Sequence, residues 1–391
     1  MGFVCELVRV TNTPRGYAWG SVDGIAHVLG TAGSGRPEAE LWLGAHPLSP
    51  ARRVGDGSWS DLAEWETATG RKLPFLLKVL AAAHPLSLQA HPTPGQAAEG
   101  FARENAVGMP LTAAERNYKD PYAKPELIVA LKDGFEALCG FRPVAETLAA
   151  IGELAAASAD PRLFERWGDL VATSIEAAFT WLLSGDHSVP SVVAVTTETA
   201  RTDPRFELID RLAAEYPGDP GILVAVMLNH VTLHAGEALW LPAGNIHAYL
   251  RGAGIELMGP SDNVLRGGLT PKHVDRDELT KILDFTAVAS ARLEPEAVAP
   301  HVVTYRPANT PSGQNVDFQL LLVTGDATIQ TGSPAIALTV AGSFEATVDA
   351  AGEMAAVGVH RGDAVFIDEP AVLRTTGAGW LFIATGLGAT A

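Results

Sequence analysis

The chain has 391 residues, 47% of them hydrophobic and 19% charged, enough for two or three domains with buried cores. Its formal net charge of −17, from 28 Lys and Arg against 45 Asp and Glu, repels phosphate backbones and argues against nucleic acid as a partner. A small anion could bind only where Lys and Arg converge locally, so any such convergence is informative.

The opening MGFVCELVRV has no basic lead-in and no small-residue cleavage site, so no signal peptide is expected. Glu6 breaks the myristoylation pattern. Cys5 and Cys139 are the two cysteines; they fit a reducing cytoplasm and cannot form a thiolate metal site alone. The longest apolar runs, such as ILVAVML at 222–228, are too short to cross a membrane, so no membrane partner is expected.

Residues 1 to about 140 read as short strands separated by Gly/Pro turns. LPFLLKVL (73–80) and PELIVAL (125–131) are strand-like, and one short helix is expected over 94–104. From Pro143 to about 220 the chain is rich in Ala, Leu and Glu with apolar residues three to four apart, the helical period; RFELIDRLAAEY (205–216) continues it. After Pro220 the reading returns to strands, in GILVAVMLNHVTLHAGEALWLPAGNIHAYL. The last ~90 residues read as all-β, with FQLLLV, IALTV and WLFIAT split by Gly-rich turns.

There is an internal echo: LHAGEALWLPA (233–243) is similar to VHRGDAVFIDE (359–369). Thirteen residues past His234 stands His247; thirteen past His360 stands Leu373. Two related β-barrels of the jelly-roll or cupin type are expected, with a working site in the first copy only.

Candidate ligands are scattered. In PLSLQAHPTPGQ (85–96), Gln89 and His91 are two apart and share a strand face; Lys124 and Glu126 do the same in AKPELIVAL, and His247 follows a Pro-Ala-Gly turn. Two imidazoles, a carboxylate and an amide oxygen suit a first-row divalent ion, while a lone His on an apolar strand is more often part of a core. GIELMGPSDNVLRGGLTPKHVD (254–275) adds Glu256, then Asp262, Arg266 and Lys272 on a Gly/Pro-rich loop. Glycines behind Arg266 allow its guanidinium fork to approach an anion closely.

Together these residues resemble class I mannose-6-phosphate isomerase (phosphomannose isomerase). The similar segments are YAWGS (17–21), PEAELWLGAHP (37–47), LPFLLKVL with LSLQAHP (73–92), YKDPYAKPEL (118–127), LPAGNIHAYLRG (241–252) and SDNVLRGGLTPK (261–272). The resemblance implies one Zn²⁺ per chain on Gln89, His91, Glu126 and His247. It puts the catalytic arginine at Arg266 and pocket residues at Lys78, Ser87, Lys124, Glu256, Asp262 and Lys272. Lys124, Glu256 and Asp262 are candidates for the proton-transferring group, and Lys78, Ser87 and Lys272 for substrate binding. The implied substrate is a small sugar phosphate, isomerised through a cis-enediol(ate) by a cytoplasmic enzyme taken to be a monomer. Residues 1–142 and 221–295 would form the catalytic cupin domain, 143–220 a helical insertion, and 296–391 a C-terminal cupin-like domain. One departure stands out: where the family commonly reads Asn-His, this chain has Tyr122 and Ala123. Two rivals remain at this point. One is an iron oxygenase using His91, Glu126 and His247; the other is a non-catalytic sugar-phosphate-binding module.

Overall fold

The computed structural model describes residues 7–288, 290–313, 316–332, 334–350 and 353–391; Cys5 and the opening MGFVCE lie outside them. The chain is mainly β with a helical region, as expected, and is built on two ten-stranded sheets. Within each sheet the hydrogen-bonded order of the described strands is an open, branched path, and no closed barrel forms.

Strand His247–Met258 is the spine of the first sheet. Its first half pairs antiparallel with Phe135–Phe141, and a register shift between Tyr249 and Arg251 bends it. Its second half lies between Leu76–Ala82 and Glu126–Ala130. These strands are buried on both faces, so their apolar runs show no alternation in sequence, yet the period of two still sorts them. Leu77, Val79, Leu127, Val129, Ile255 and Leu257 face a core shared with Leu320, Leu338, Phe366 and Phe382 of the second sheet. Lys78, Glu126 and Glu256 alternate with them and therefore project from the opposite face.

The second sheet comprises the strands of 296–386 together with Arg52–Arg53 and Leu7–Thr11, which pairs with Ala364–Ile367. The internal echo is a repeated turn. The His234 N–H donates to Glu237 Oε2 at 2.7 Å, and the His360 N–H donates to Asp363 Oδ2 at 2.9 Å. Each turn is followed by an outgoing strand, Ala238–Leu241 or Ala364–Ile367.

The helical region is where the periodicity placed it, from Val144–Ala157 through Glu207–Glu215. Trp167, Phe179 and Leu212 pack there against Leu88, Phe141 and Leu265 of the first sheet. The expected short helix is Pro94–Ala106, opened by a Thr93–Gln96 capping box. Two helices interrupt the expected strands of the N-terminal part: Gly24–Leu29, and Leu62–Thr69, whose start is capped by the Asp61 side chain.

The strand reading directly after Pro220 is corrected: Gly221–Val226 is a helix. All six of its residues are buried, so no amphipathic period marks it, and a short apolar run does not distinguish strand from helix. The Asp219 carboxylate starts it by accepting from the Gly221 N–H at 2.7 Å. A Cβ at Gly221 would meet Leu269 N at 2.7 Å, so only glycine lets this helix abut the strand carrying Arg266.

Candidate active site

Cross-strand register assembles the site. Gln89 lies opposite His247 on one side and Arg266 on the other. In a neighbouring row Lys78 lies between Trp42 and Glu256. Directly opposed residues point to the same face, so each row presents its side chains together.

His91, Glu126 and His247 form the centre, all buried and with ligand atoms within 4.8 Å of one another. Glu126 Oε1 lies 3.3 Å from His91 Nε2, and Oε2 lies 3.2 Å from His247 Nε2. His91 Nδ1 is 2.7 Å from the Asn263 carbonyl and His247 Nδ1 is 3.0 Å from the Asn245 carbonyl. A carbonyl only accepts, so each Nδ1 carries a proton, and each neutral imidazole then turns the lone pair of its Nε2 inward. Two lone pairs thus face a carboxylate, a mutually repelling set that a cation reconciles. Consistent with this, His91 Nε2 and Glu126 Oε2 are buried without a hydrogen-bond donor. Gln89 stands beside them, its amide nitrogen Nε2 3.4 Å from His247 Nε2, and a half-turn of the amide presents its oxygen there instead. The residues fit a divalent ion.

Electrostatics keep the donors in binding form. Burial pushes His91 down to about 4 despite the Glu126 charge. Burial works to raise Glu126, but Lys124 and the imidazoles outweigh it and hold the carboxyl well below its ordinary value. Lys124 Nζ is 2.9 Å from Glu126 Oε1.

The centre adjoins a cavity of about 690 Å³ lined by Lys78, Ser87, Gln89, Lys124, Asp262, Arg266 and Lys272. Gln89 and Lys124 link the two, since each lines the cavity and touches a member of the buried group. Four cations converge on this wall in a chain of net charge −17. Lys78 is committed to carboxylates, 3.1 Å from Glu256 and 3.6 Å from Glu40. Among the described residues no carboxylate pairs with Arg266 or Lys272. Burial lowers both, and for Lys272 the Arg266 charge adds to the effect. Two unpaired cations beside one cavity suit an anion.

Glu256 is brought beside Lys78 rather than onto the cavity wall; burial pushes its carboxyl up against the pull of Lys78. Tyr122 points its ring to solvent, 61% exposed, and contributes its carbonyl, which accepts from Asn263 Nδ2 at 2.8 Å. Sequence reasoning passed over Glu40, Trp42, His46 and Asn263. Trp42 Nε1 donates to Glu40 Oε2 at 2.7 Å, and His46 Nε2 lies 3.2 Å from Asp262 Oδ2. The signal for the first pair was a carboxylate inside the apolar run ELWL.

Residues 7–144 match the model of the phosphomannose isomerase type I catalytic domain. Mannose-6-phosphate isomerase of Escherichia coli (strain K12) is 38% identical over 303 residues, 73% of this chain and 77% of that protein. The enzyme of Bos taurus with the same name is 32% identical over 90% of both chains. A crystal structure of zinc-bound mannose 6-phosphate isomerase is similar with a TM-score of 0.84 and 32% identity, covering 97% of this chain and 99% of that one. The apo form from Salmonella typhimurium gives 0.83 and 31% over the same shares. At this identity and coverage, and with the fold matching, the chain belongs to the type I phosphomannose isomerase family.

Proposed function

We propose that this protein interconverts mannose 6-phosphate and fructose 6-phosphate. The observation that carries the reading is the buried His91–Glu126–His247 group opening, through Gln89 and Lys124, onto a cavity with unpaired Arg266 and Lys272. The names of the similar enzymes support it.

Gln89, His91, Glu126 and His247 would hold one zinc ion, which when bound supplies the Lewis acidity that polarises a carbonyl beside an acidic C–H. Arg266 and Lys272, with Ser87, take the anionic oxygens, because they line the cavity without competing carboxylates. The isomerisation moves a proton between C2 and C1, so a base must reach both carbons. We assign that role to Asp262, because it lines the cavity with Oδ2 held by His46 and Oδ1 left for substrate. Lys78 stays protonated because Glu256 and Glu40 outweigh its burial, so it donates to a substrate oxygen while Glu256 holds it in place. Lys124 orients Glu126 and adds a second donor at the cavity wall.

A two-His-one-carboxylate oxygenase fits less well, since Gln89 sits where dioxygen chemistry needs an open position. We also read each sheet as a jelly-roll relative, on the repeated acidic turn, with the second sheet lacking a site because Leu373 stands opposite Ile329 in its core. A monomer in the cytoplasm completes the reading. The test is a coupled assay of fructose 6-phosphate formation with and without chelator. Turnover restored by zinc supports it; undiminished turnover in metal-free protein, or none in the fully loaded protein, overturns it.

A further inference from the structure

His46 belongs to no part of the proposed chemistry, yet it is buried beside the cavity and bonded to the carboxylate proposed as base. From this geometry we infer that His46 is a positioning residue for the isomerisation, holding Asp262 Oδ2 so that Oδ1 faces the substrate carbons. The inference rests on the assignment of Asp262 as base.

Three contacts fix the imidazole. The Leu48 N–H donates to His46 Nδ1 at 3.3 Å, which leaves the proton on Nε2. Nε2 then donates to Asp262 Oδ2 at 3.2 Å. The ring stands edge-on to Trp42, with centroids 4.8 Å apart at 79°. Trp42 is itself anchored by its indole N–H to Glu40. On the other side the Asp262 N–H donates to Asp120 Oδ2 at 2.8 Å, so the carboxylate is held through backbone and side chain alike. The arrangement inverts the familiar use of a carboxylate to orient a histidine: here an imidazole orients a carboxylate. Among the carboxylates lining the cavity, Glu40 is engaged by Trp42 and Lys78, and Glu215 by His84 at 2.8 Å. Asp262 and Glu215 each keep one oxygen without a protein partner among the described residues, but Glu215 and His84 are exposed, whereas Asp262 is half-buried beside Lys124, which also contacts Glu126.

The charged groups around the pair are Lys78 and Lys124 on the cavity wall, Asp120 and Lys119 on the loop beneath, and Glu40 behind Trp42. Burial works to raise Asp262, but the His46 hydrogen bond and the nearby lysines bring it below its ordinary value. The carboxylate therefore stays ionised to lower pH, and losing the His46 bond must move that limit upward.

Two substitutions separate positioning from packing. His46→Phe keeps a ring against Trp42 but has no donor; His46→Gln keeps an N–H within reach of Asp262 and loses the ring. With zinc content and melting temperature measured on each, the assay is kcat, KM and the pH profile of kcat/KM for mannose 6-phosphate. We expect His46→Phe to lose roughly 10- to 100-fold in kcat with KM little changed, the value of one hydrogen bond to a charged group. The acid limb of its kcat/KM profile moves to higher pH, and His46→Gln recovers most of both. A His46→Phe enzyme with parental kcat and acid limb, or a Gln variant worse than the Phe variant, overturns the inference. Asp262→Asn reports separately on the base assignment. If it still exchanges the C2 deuterium of labelled substrate with solvent, that assignment fails; if exchange stops while His46→Phe is parental, only the role of His46 fails.

Discussion

Replacing Asn263 by Leu tests whether the metal centre depends on a single buried amide. Asn263 is fully buried, and its side chain closes the 119–122 loop. Nδ2 donates to the carbonyls of Asp120 and Tyr122, both at 2.8 Å, while Oδ1 accepts from the N–H groups of Lys119 at 2.7 Å and Asp120 at 3.3 Å. Its own carbonyl accepts from His91 Nδ1 at 2.7 Å. Leu conserves the volume but leaves four backbone groups without that partner. At ~1–3 kcal/mol for each group left unsatisfied, and with water reaching part of a half-buried loop, a loss of about 3–5 kcal/mol follows. An unfolding entropy of ~2.1 cal/mol/K per residue gives about 0.8 kcal/mol/K for the chain, so the melting temperature falls by about 4–6 °C. The loop leads into Lys124 and Glu126, and the Asn263 backbone orients His91, so zinc affinity also drops, by roughly 10- to 100-fold as for other groups that orient a ligand. Differential scanning fluorimetry and zinc titration against a competing chelator read both effects. A variant melting within about 1 °C of the parent and holding zinc as tightly would refute the reasoning.

His247→Ala should lose both zinc and turnover, since the buried carboxylate then faces one imidazole; metal analysis of the purified variant checks it. His360→Ala, in the equivalent turn of the second sheet, should leave metal content and kcat unchanged, and a lost ion would contradict the one-site reading. Arg266→Ala should reduce kcat by on the order of 100- to 1,000-fold if the guanidinium meets charge that develops during reaction, whereas a rise in KM alone would restrict it to gripping phosphate. Glu136 resists burial through Arg211, 2.5 Å away, and Arg251, which together hold its carboxyl below the ordinary 4.5. Its stabilisation is present above that value and lost as pH falls through the depressed one. Glu136→Gln should accordingly be less stable than the parent in urea at pH 7, and the gap should close in acid.

Legibility in the sequence followed the distance over which each signal acts. The helical region was plain because Ala, Leu and Glu repeat over tens of residues, and the period survives even where Ser174 breaks two helices apart. The candidate ligands Gln89 and His91, and the Lys124–Glu126 pair, were singled out because strand geometry puts residues two apart on one face. His247 joined the same candidate set on residue type and its Pro-Ala-Gly turn, and the family resemblance then assigned the four to one site, for nothing local ties residue 247 to residue 89. His46 and Asn263 stayed invisible for a related reason: their partners, Asp262 and the 119–122 loop, lie far away in the chain, and His46 reads locally as an ordinary turn residue before Pro47. The Gly221–Val226 helix was misread because burial on every side erases the pattern that would have marked it.

Strand Leu7–Thr11 is among the first parts of the described chain to leave the ribosome, and its main partner, Ala364–Ile367, is among the last. At ~5–20 residues per second, roughly 20–70 s pass between the two. Throughout that interval Val8 and Val10, which end in the core between the sheets, lack the side of that core formed by Phe366, Phe382 and Ala384. The catalytic strands can pair earlier, since their contacts fall within residues 40–268. The order of synthesis therefore leaves an extended apolar segment waiting on a half-built molecule, exposed to whatever else binds strand edges. Closing the second sheet is the work of residues 364–386, which makes a translation product that stops before them a candidate for aggregation even when every residue of the active site has been made.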